Sequence, residues 1–268
     1  MSYYFKKELA LIALGAFFIL PPSASANDDF LTREMSDQQK EKQYVIDVGV
    51  AVFANPKYDG ASDYDFTVDP LLGISRMYLP IFGQIDDDGD ELNTFFLYPS
   101  FNFIDGRKPS DDDSLANTRK VNWAGEIGLG TGFRSGWFRA FTEFRKGFNG
   151  HTGWVGRAGI DIVGDVREDL TLSIGPRVDY ADSEYMSTYF NTLGTDTSAG
   201  FDADAGFKSV GLVGRASYHM TNDMSWHLQV GYDRLLGDAK DSPVSENDDM
   251  FKVGVGATYR FDFNVFDQ

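Results

Sequence analysis

The sequence predicts an all-β fold: an antiparallel up-and-down transmembrane β-barrel of outer-membrane type, with about ten strands and twelve if an extra short hairpin is present. Three observations predict it. An export signal opens the chain, segments of alternating apolar and polar residues recur along it, and the connections between those segments alternate short and long.

The first element is the signal. Lys6 and Lys7 precede the apolar run Leu9 to Leu20, followed by Pro21, Pro22 and the small-residue site Ala24-Ser25-Ala26, so residues 1–26 read as a signal peptide cleaved after Ala26. The run is too short to cross about 30 Å of hydrocarbon as a helix. Residues 27–42, NDDFLTREMSDQQKEK, are polar and unpatterned and read as a mobile periplasmic leader. The barrel is expected over 43–263, and 264–268 form a C-terminal tail.

Within the barrel each strand is justified by period two, because successive side chains of a strand point to opposite faces. In 43–53, Tyr44, Ile46, Val48, Val50 and Val52 oppose Asp47, Gly49 and Ala51. Segments 66–76 and 92–103 are less regular, and Pro70 and Pro99 are awkward inside a ladder. In 121–131, Val121, Trp123, Ile127 and Leu129 oppose Asn122, Ala124, Glu126 and Gly128. In 136–146, Phe138, Ala140, Thr142 and Phe144 oppose Trp137, Arg139, Phe141, Glu143 and Arg145. Segments 154–163, 169–180, 207–219 and 224–235 repeat the scheme. The last, 251–261, alternates without a slip: Phe251, Val253, Val255, Ala257, Tyr259 and Phe261 against Lys252, Gly254, Gly256, Thr258 and Arg260.

Short connections fall at 134–136, 164–168 and 221–223, and long ones at 54–65, 104–120, 181–206 and 236–249, with one of medium length near 147–153. Short periplasmic turns and long outer loops are the plan of an outer-membrane barrel. The apolar face then meets lipid, with Trp137, Phe138, Trp154, Tyr180, Tyr218, Tyr232 and Tyr259 in interfacial girdles. A soluble sandwich or lipocalin-like barrel shares the period, but would place the ionic face outside and the apolar face within. Segment 77–91 breaks the alternation and has room for two more short strands.

The lumen face collects Asp47, Glu126, Glu143, Asp161, Asp179 and Asp233 with Arg139, Arg145, Arg157, Arg177, Arg215, Lys252 and Arg260. The set is nearly neutral, so most of the chain's formal charge of −17 sits in loops, turns and leader. In a narrow barrel these ions are expected to pair across the lumen and leave it plugged or barely permeable.

The 268 residues contain no Cys, which excludes a disulfide framework, a thiolate metal site and a Cys nucleophile. The acidic charge argues against a nucleic-acid partner. No catalytic, cofactor or metal residue is assigned. Of the three histidines, His151, His219 and His227, the last two flank the 221–223 turn on the lumen face and read as hydrogen-bonded side chains in preference to a metal or acid–base site. The runs Asp86 to Glu91 and Asp111 to Asp113 read as solvated acidic turns, because the glycine of the first is misplaced for a calcium loop. Acidic outer loops can also hold divalent cations that bridge lipopolysaccharide phosphates.

One resemblance is specific. Arg234, Leu235, Gly237, Asp238, Ala239, Ser242 and Pro243, then Gly256, Tyr259, Arg260 and Phe261, resemble the MipA/OmpV family of MltA-interacting outer-membrane proteins. Pro56, Tyr58, Gly60 and Ser62, the Ile104 to Arg107 stretch, and Gly150 to Trp154 with GPRVDYADSEYMSTYF agree, so the resemblance spans nearly all of 44–261. It departs after Phe261, where seven further residues place Phe263 and Phe266 as candidate end-recognition aromatics for barrel assembly. What the resemblance implies is a Gram-negative outer-membrane location in contact with lipid and lipopolysaccharide. It also implies a nonenzymatic scaffold role joining a lytic transglycosylase to a penicillin-binding protein in murein (peptidoglycan) metabolism. The other readings are a small-solute channel and a surface adhesion protein using loop 181–206.

Overall fold

The computed structural model describes residues 35–79, 83–86, 94–194 and 199–266. The expected signal peptide, the first part of the leader and the acidic turn after Asp86 lie outside these residues. The described chain forms one antiparallel sheet of strands β1 (Tyr44–Pro56), β2 (Tyr64–Leu79), β3 (Gly83–Asp86), β4 (Thr94–Ile104), β5 (Ala124–Ser135), β6 (Phe138–Asn149), β7 (Trp154–Arg167), β8 (Leu170–Ala181), β9 (Gly206–His219), β10 (Met224–Leu235) and β11 (Asp249–Phe263). Their spatial order is β3-β2-β1-β11-β10-β9-β8-β7-β6-β5-β4. Pairing of β1 with β11, Val48 opposite Tyr259, brings the first and last long strands together in a nearly closed barrel. Ten strands are long, and the irregular segment after β2 contributes the short β3 as a hairpin on its periplasmic end.

The long strands run 11 to 16 residues, more than the roughly 9–11 that a tilted strand needs to span a bilayer. The apolar face points outward as the period dictates: Val50, Leu129 and Ile162 stand more than half exposed, while Asp47, Glu126 and Asp161 turn inward and are buried. Aromatic contacts band both ends of the outer wall. Trp123–Phe148, Tyr180–Phe207 and Tyr232–Phe251 lie at the loop end, with Phe95–Phe133, Trp137–Phe138 and Tyr259–Phe261 at the opposite end. Of the expected girdle, Trp137, Trp154, Tyr180, Tyr218 and Tyr259 are exposed.

Four expectations need correction. Val121 is buried and bridges Arg107 ahead of β5, so it belongs to a loop core and not to the lipid face. Trp137, which the period sets on the inward side of 136–146 although the girdle claims it, sits in the turn before β6 and is exposed, as the girdle requires. The alternation continues through Val163 and Asp165 to Arg167, which moves the predicted 164–168 turn to the two residues before β8. The described end of the leader is ordered. Ser36 and Gln39 form a reciprocal capping box around a short helical turn, α1 (Asp37–Lys40), with Met35, Gln39 and Gln43 buried.

Pro70 and Pro99 do lie in strands: β4 ends the sheet on one side, and β2 is followed on the other only by the short β3. A third proline, Pro176, sits inside β8, where the β7–β8 register skips from Gly159↔Arg177 to Ile162↔Ile174. Arg177 covers that break: its Nη1 donates to the carbonyl oxygens of Pro176 (2.9 Å) and Ile160 (3.4 Å).

Candidate functional site

The thirteen ionic residues assigned to the lumen all turn inward. Their pairing differs from the expected arrangement. Most partners are neighbours along the wall and do not reach across the bore. Asp47 faces Arg260, Arg139 faces Asp161 and Arg157 faces Asp179 at directly opposed register positions. Strands lie about 4.8 Å apart, so facing acid and base meet without crossing the lumen. Arg260 donates to both Asp47 oxygens at 2.8 Å, and its Nη2 also reaches Ser75 Oγ at 3.2 Å. Arg157 is likewise bidentate on Asp179, which accepts a third bond from Ser209. Asp161 is shared by Arg139 (3.1 Å) and Arg177 (2.8 Å), and both guanidinium groups lie near the Phe141 ring. Other links span an intervening strand: Arg260 to Ser75, Tyr98 and Ser100 to Glu143, and Lys252 to Asp69.

The wall between β4 and β6 holds the densest network. Arg145 bonds Glu126 at 3.0 Å and Glu143 at short range, Asn102 donates to Glu126, and His151 Nε2 lies 3.2 Å from Glu126 Oε1. Gly153 N–H donates to His151 Nδ1 at 3.2 Å, which places the ring proton of the neutral tautomer on Nε2, facing the carboxylate. His227 is held between Ser217 (2.9 Å) and Thr258 (2.8 Å), and His219 between Ser225 (2.9 Å) and Thr171 (3.4 Å). The hydrogen-bonded reading therefore describes His219 and His227. Among the described residues no group of three His, Asp or Glu side chains is arranged to hold a metal ion.

Above this lumen the long loops, 181–206 among them, form a lid. Helix α2 (Ser183–Phe190) begins at Asp182, whose carboxylate accepts from Tyr185 N at 3.0 Å. Tyr185, Met186, Tyr189 and Phe190 recur at one-turn spacing, and the stripe is buried. It packs with Val121, Val155, Ala181, Ala203, Leu235, Ala239 and Met250 in one apolar core at the outer mouth. Tyr185 and Tyr189 also stack edgewise on His151, joining lid to wall. Burial of these two phenols raises both pKa values well above the ordinary 10.0.

Residues that carry the family resemblance build this lid. Tyr58 bonds Ser114 (2.6 Å), and the Arg107 guanidinium lies 5.4 Å from the rings of both Tyr58 and Tyr189 while donating to the Tyr189 carbonyl. Gly60 sits at φ +90°, where a Cβ would come within 3 Å of Ser245, and its carbonyl accepts from Glu246 N. Ser62 bonds Glu246 (2.6 Å), and Ser242 Oγ donates to the Phe190 carbonyl (2.6 Å). A second short helix, α3 (Gly237–Asp241), places Asp238 to accept from Asp204 N at 2.7 Å.

The opposite rim is fastened by Gln43. Its backbone N–H donates to Asn264 Oδ1, its Oε1 accepts from Val265 N and Phe266 N, and its Nε2 donates to the Phe266 carbonyl, all within 2.9 Å. Phe263 stacks on Tyr44 and Phe266 packs tilted against Tyr78, so both candidate end aromatics are engaged with the first hairpin.

Solved barrels are similar over most of the chain at low identity. Neisserial surface protein A is 8% identical, over 82% of this chain and 98% of that one, with a TM-score of 0.30. A KdgM porin is 11% identical, over 80% and 99%, with a TM-score of 0.33. The CymD monoaromatic hydrocarbon channel is 8% identical, over 85% and 90%, with a TM-score of 0.40. No curated protein matches the sequence. Residues 48–261 match the family described as MltA-interacting protein MipA, and the chain belongs to that family of outer-membrane β-barrels.

Proposed function

We propose that the barrel is a nonenzymatic scaffold, holding murein-hydrolysing and murein-synthesising enzymes, a lytic transglycosylase and a penicillin-binding protein, at its periplasmic rim. The observation that carries the reading is the family match, whose description names an interaction with MltA. Two features of the chain support it. A lid core covers the outer mouth, and the lumen ions are tied to one another along the wall, so the interior serves as a rigid support. At the other end, the α1 turn and the Gln43-bound tail offer an ordered surface, which lowers the entropy lost on docking.

The test is purification of the intact chain from membranes in mild detergent. Recovery of a lytic transglycosylase or penicillin-binding protein, lost when residues 35–42 are deleted from a barrel that still folds, is the expected result. A reproducible preparation with no murein enzyme overturns the reading. The adhesion alternative is disfavoured by α2, whose Tyr and Phe side chains face the lid core.

A further inference from the structure

One side of the outer rim departs from the acidic character of the loops. At the loop end of the barrel Lys57 lies 2.9 Å from Asp63, Lys108 3.7 Å from Asp111, Lys240 3.4 Å from Asp248 and Arg234 3.8 Å from Asp249. Each of these bases is neutralised by a neighbouring carboxylate. Arg119, Lys120 and Lys146, at the same end, are not. Among the described residues none of the three has a carboxylate within ion-pair distance, although the chain carries a formal charge of −17. Acids of the adjoining loops have other partners: Asp112 accepts from Ser114 N, and Glu184 accepts from Thr152.

The three bases share one stretch of wall. Lys146 stands on β6 between the exposed Phe144 and Phe148, on the face that meets lipid, and its Nζ lies 4.9 Å from the ring of Trp154, the first residue of β7. Ring contacts lead from there toward the loops. Trp123, just ahead of β5, meets Phe148 edge-on at 6.1 Å and stacks on Phe103 at 5.6 Å. The bridge of Arg107 to Val121 keeps the register of β4 and β5, in which Ile104 faces Ala124, so this pair of strands continues above the rim. There Val121 turns into the lid core, whereas Arg119 and Lys120 before it are exposed. Lys146 is thus at the edge of the apolar belt, and Arg119 and Lys120 stand above it over the same strands.

A lysine among aromatic residues on a lipid-facing wall extends its ammonium to the polar boundary. Unpaired bases at that boundary are complementary to phosphate, which accepts charge-assisted hydrogen bonds from both ammonium and guanidinium. Trp123, Phe148 and Trp154 are each about half exposed beside them, an apolar surface for which a soluble anion has no use. We propose that this side of the barrel, over β5, β6 and the start of β7, binds a phosphorylated, multiply acylated glycolipid of the outer leaflet, a lipopolysaccharide. Its acyl chains lie against Phe144, Phe148 and Trp154, one phosphate is held by Lys146, and phosphates farther from the hydrocarbon are held by Arg119 and Lys120. The site depends on the membrane location of the barrel and not on a murein partner.

The test is titration of the refolded full-length barrel in mild detergent with purified lipopolysaccharide lacking O-antigen. Each base removed should weaken binding about fivefold, and R119Q/K120Q/K146Q about a hundredfold. K57Q/K108Q/K240Q, which removes three bases already paired with acids, should bind as the unaltered protein does. Heat-modifiable migration confirms that every variant is folded. A comparison that needs no variant is the unaltered protein with enzymatically dephosphorylated lipopolysaccharide and with phosphatidylglycerol, both of which should bind more weakly. Equal affinity for the phosphorylated and dephosphorylated forms, or undiminished binding by R119Q/K120Q/K146Q, overturns the site. An equal loss in K57Q/K108Q/K240Q also overturns it, since binding would then follow net charge alone. Phosphatidylglycerol binding as tightly as lipopolysaccharide, or displacement of lipopolysaccharide by inorganic phosphate, overturns the identity of the ligand.

Discussion

At the scale of single residues, the lumen is governed by register. Asp47 and Arg260 are 213 positions apart in sequence and directly opposed in the β1–β11 ladder. Removing one member of a buried pair strands the other charge, at a penalty of about 3–5 kcal/mol. Asp47→Asn and Arg260→Gln should each lower the urea midpoint of the refolded barrel by an amount of that order, while Asp47→Leu/Arg260→Leu should lose clearly less than the sum. A double-variant loss equal to the sum of the two single losses would show that the pair is not a coupled unit. At the rim, Gln43→Ala removes the three bonds made by the side chain, each worth about 1 kcal/mol net. The residues after Phe263 should then become open to carboxypeptidase while the barrel core stays intact. The inward direction of these ions was legible in the alternation around them. Their partners were not, because opposition across a ladder depends on how two distant strands are aligned.

At the scale of elements, the lid shows what a loop of ordinary composition can hide. YADSEYMSTYF carries an N-cap at Asp182 and an apolar stripe at 185, 186, 189 and 190, signals of a helix that are weak over eight residues. Packing against the loops from Val121 and Leu235 makes it stable. Phe190 is fully buried, and Phe190→Ala should destabilise the lid by about 3–5 kcal/mol, read as protease cleavage within 182–205 before the barrel melts. The lid should also open in alkali. Tyr185 and Tyr189 titrate above 10.0 when folded, so the folded state holds protons that the open state releases. Their contribution is complete below that pH and is lost as pH rises toward the folded pKa values. Tyrosinate absorbance should lag for two phenols and appear together with protease sensitivity, and Tyr185→Phe/Tyr189→Phe should remove the lag. Ionisation of all tyrosines at the ordinary pKa would contradict the buried lid.

At the scale of the whole molecule, a barrel sealed above by a packed core and tied below by Gln43 should conduct poorly. Planar-bilayer recordings are expected to show no steady opening of large-porin size, and deletion of 183–204 should raise conductance. Unchanged conductance in a folded deletion variant would mean that the narrowest point lies in the lumen itself. The chain's formal charge of −17 contrasts with the near balance of the lumen, so the excess acid belongs to the loops, turns and leader.

The sequence by itself determined which side of each strand meets lipid and which meets the lumen. Alternation is a local property, and a bilayer rewards an apolar face at every position along the wall. Only the tertiary structure decided which charges meet and how loops far apart in sequence close into one lid. Each of these depends on the order and alignment of strands, which bring together residues such as Gly60 and Ser245 that no local pattern connects.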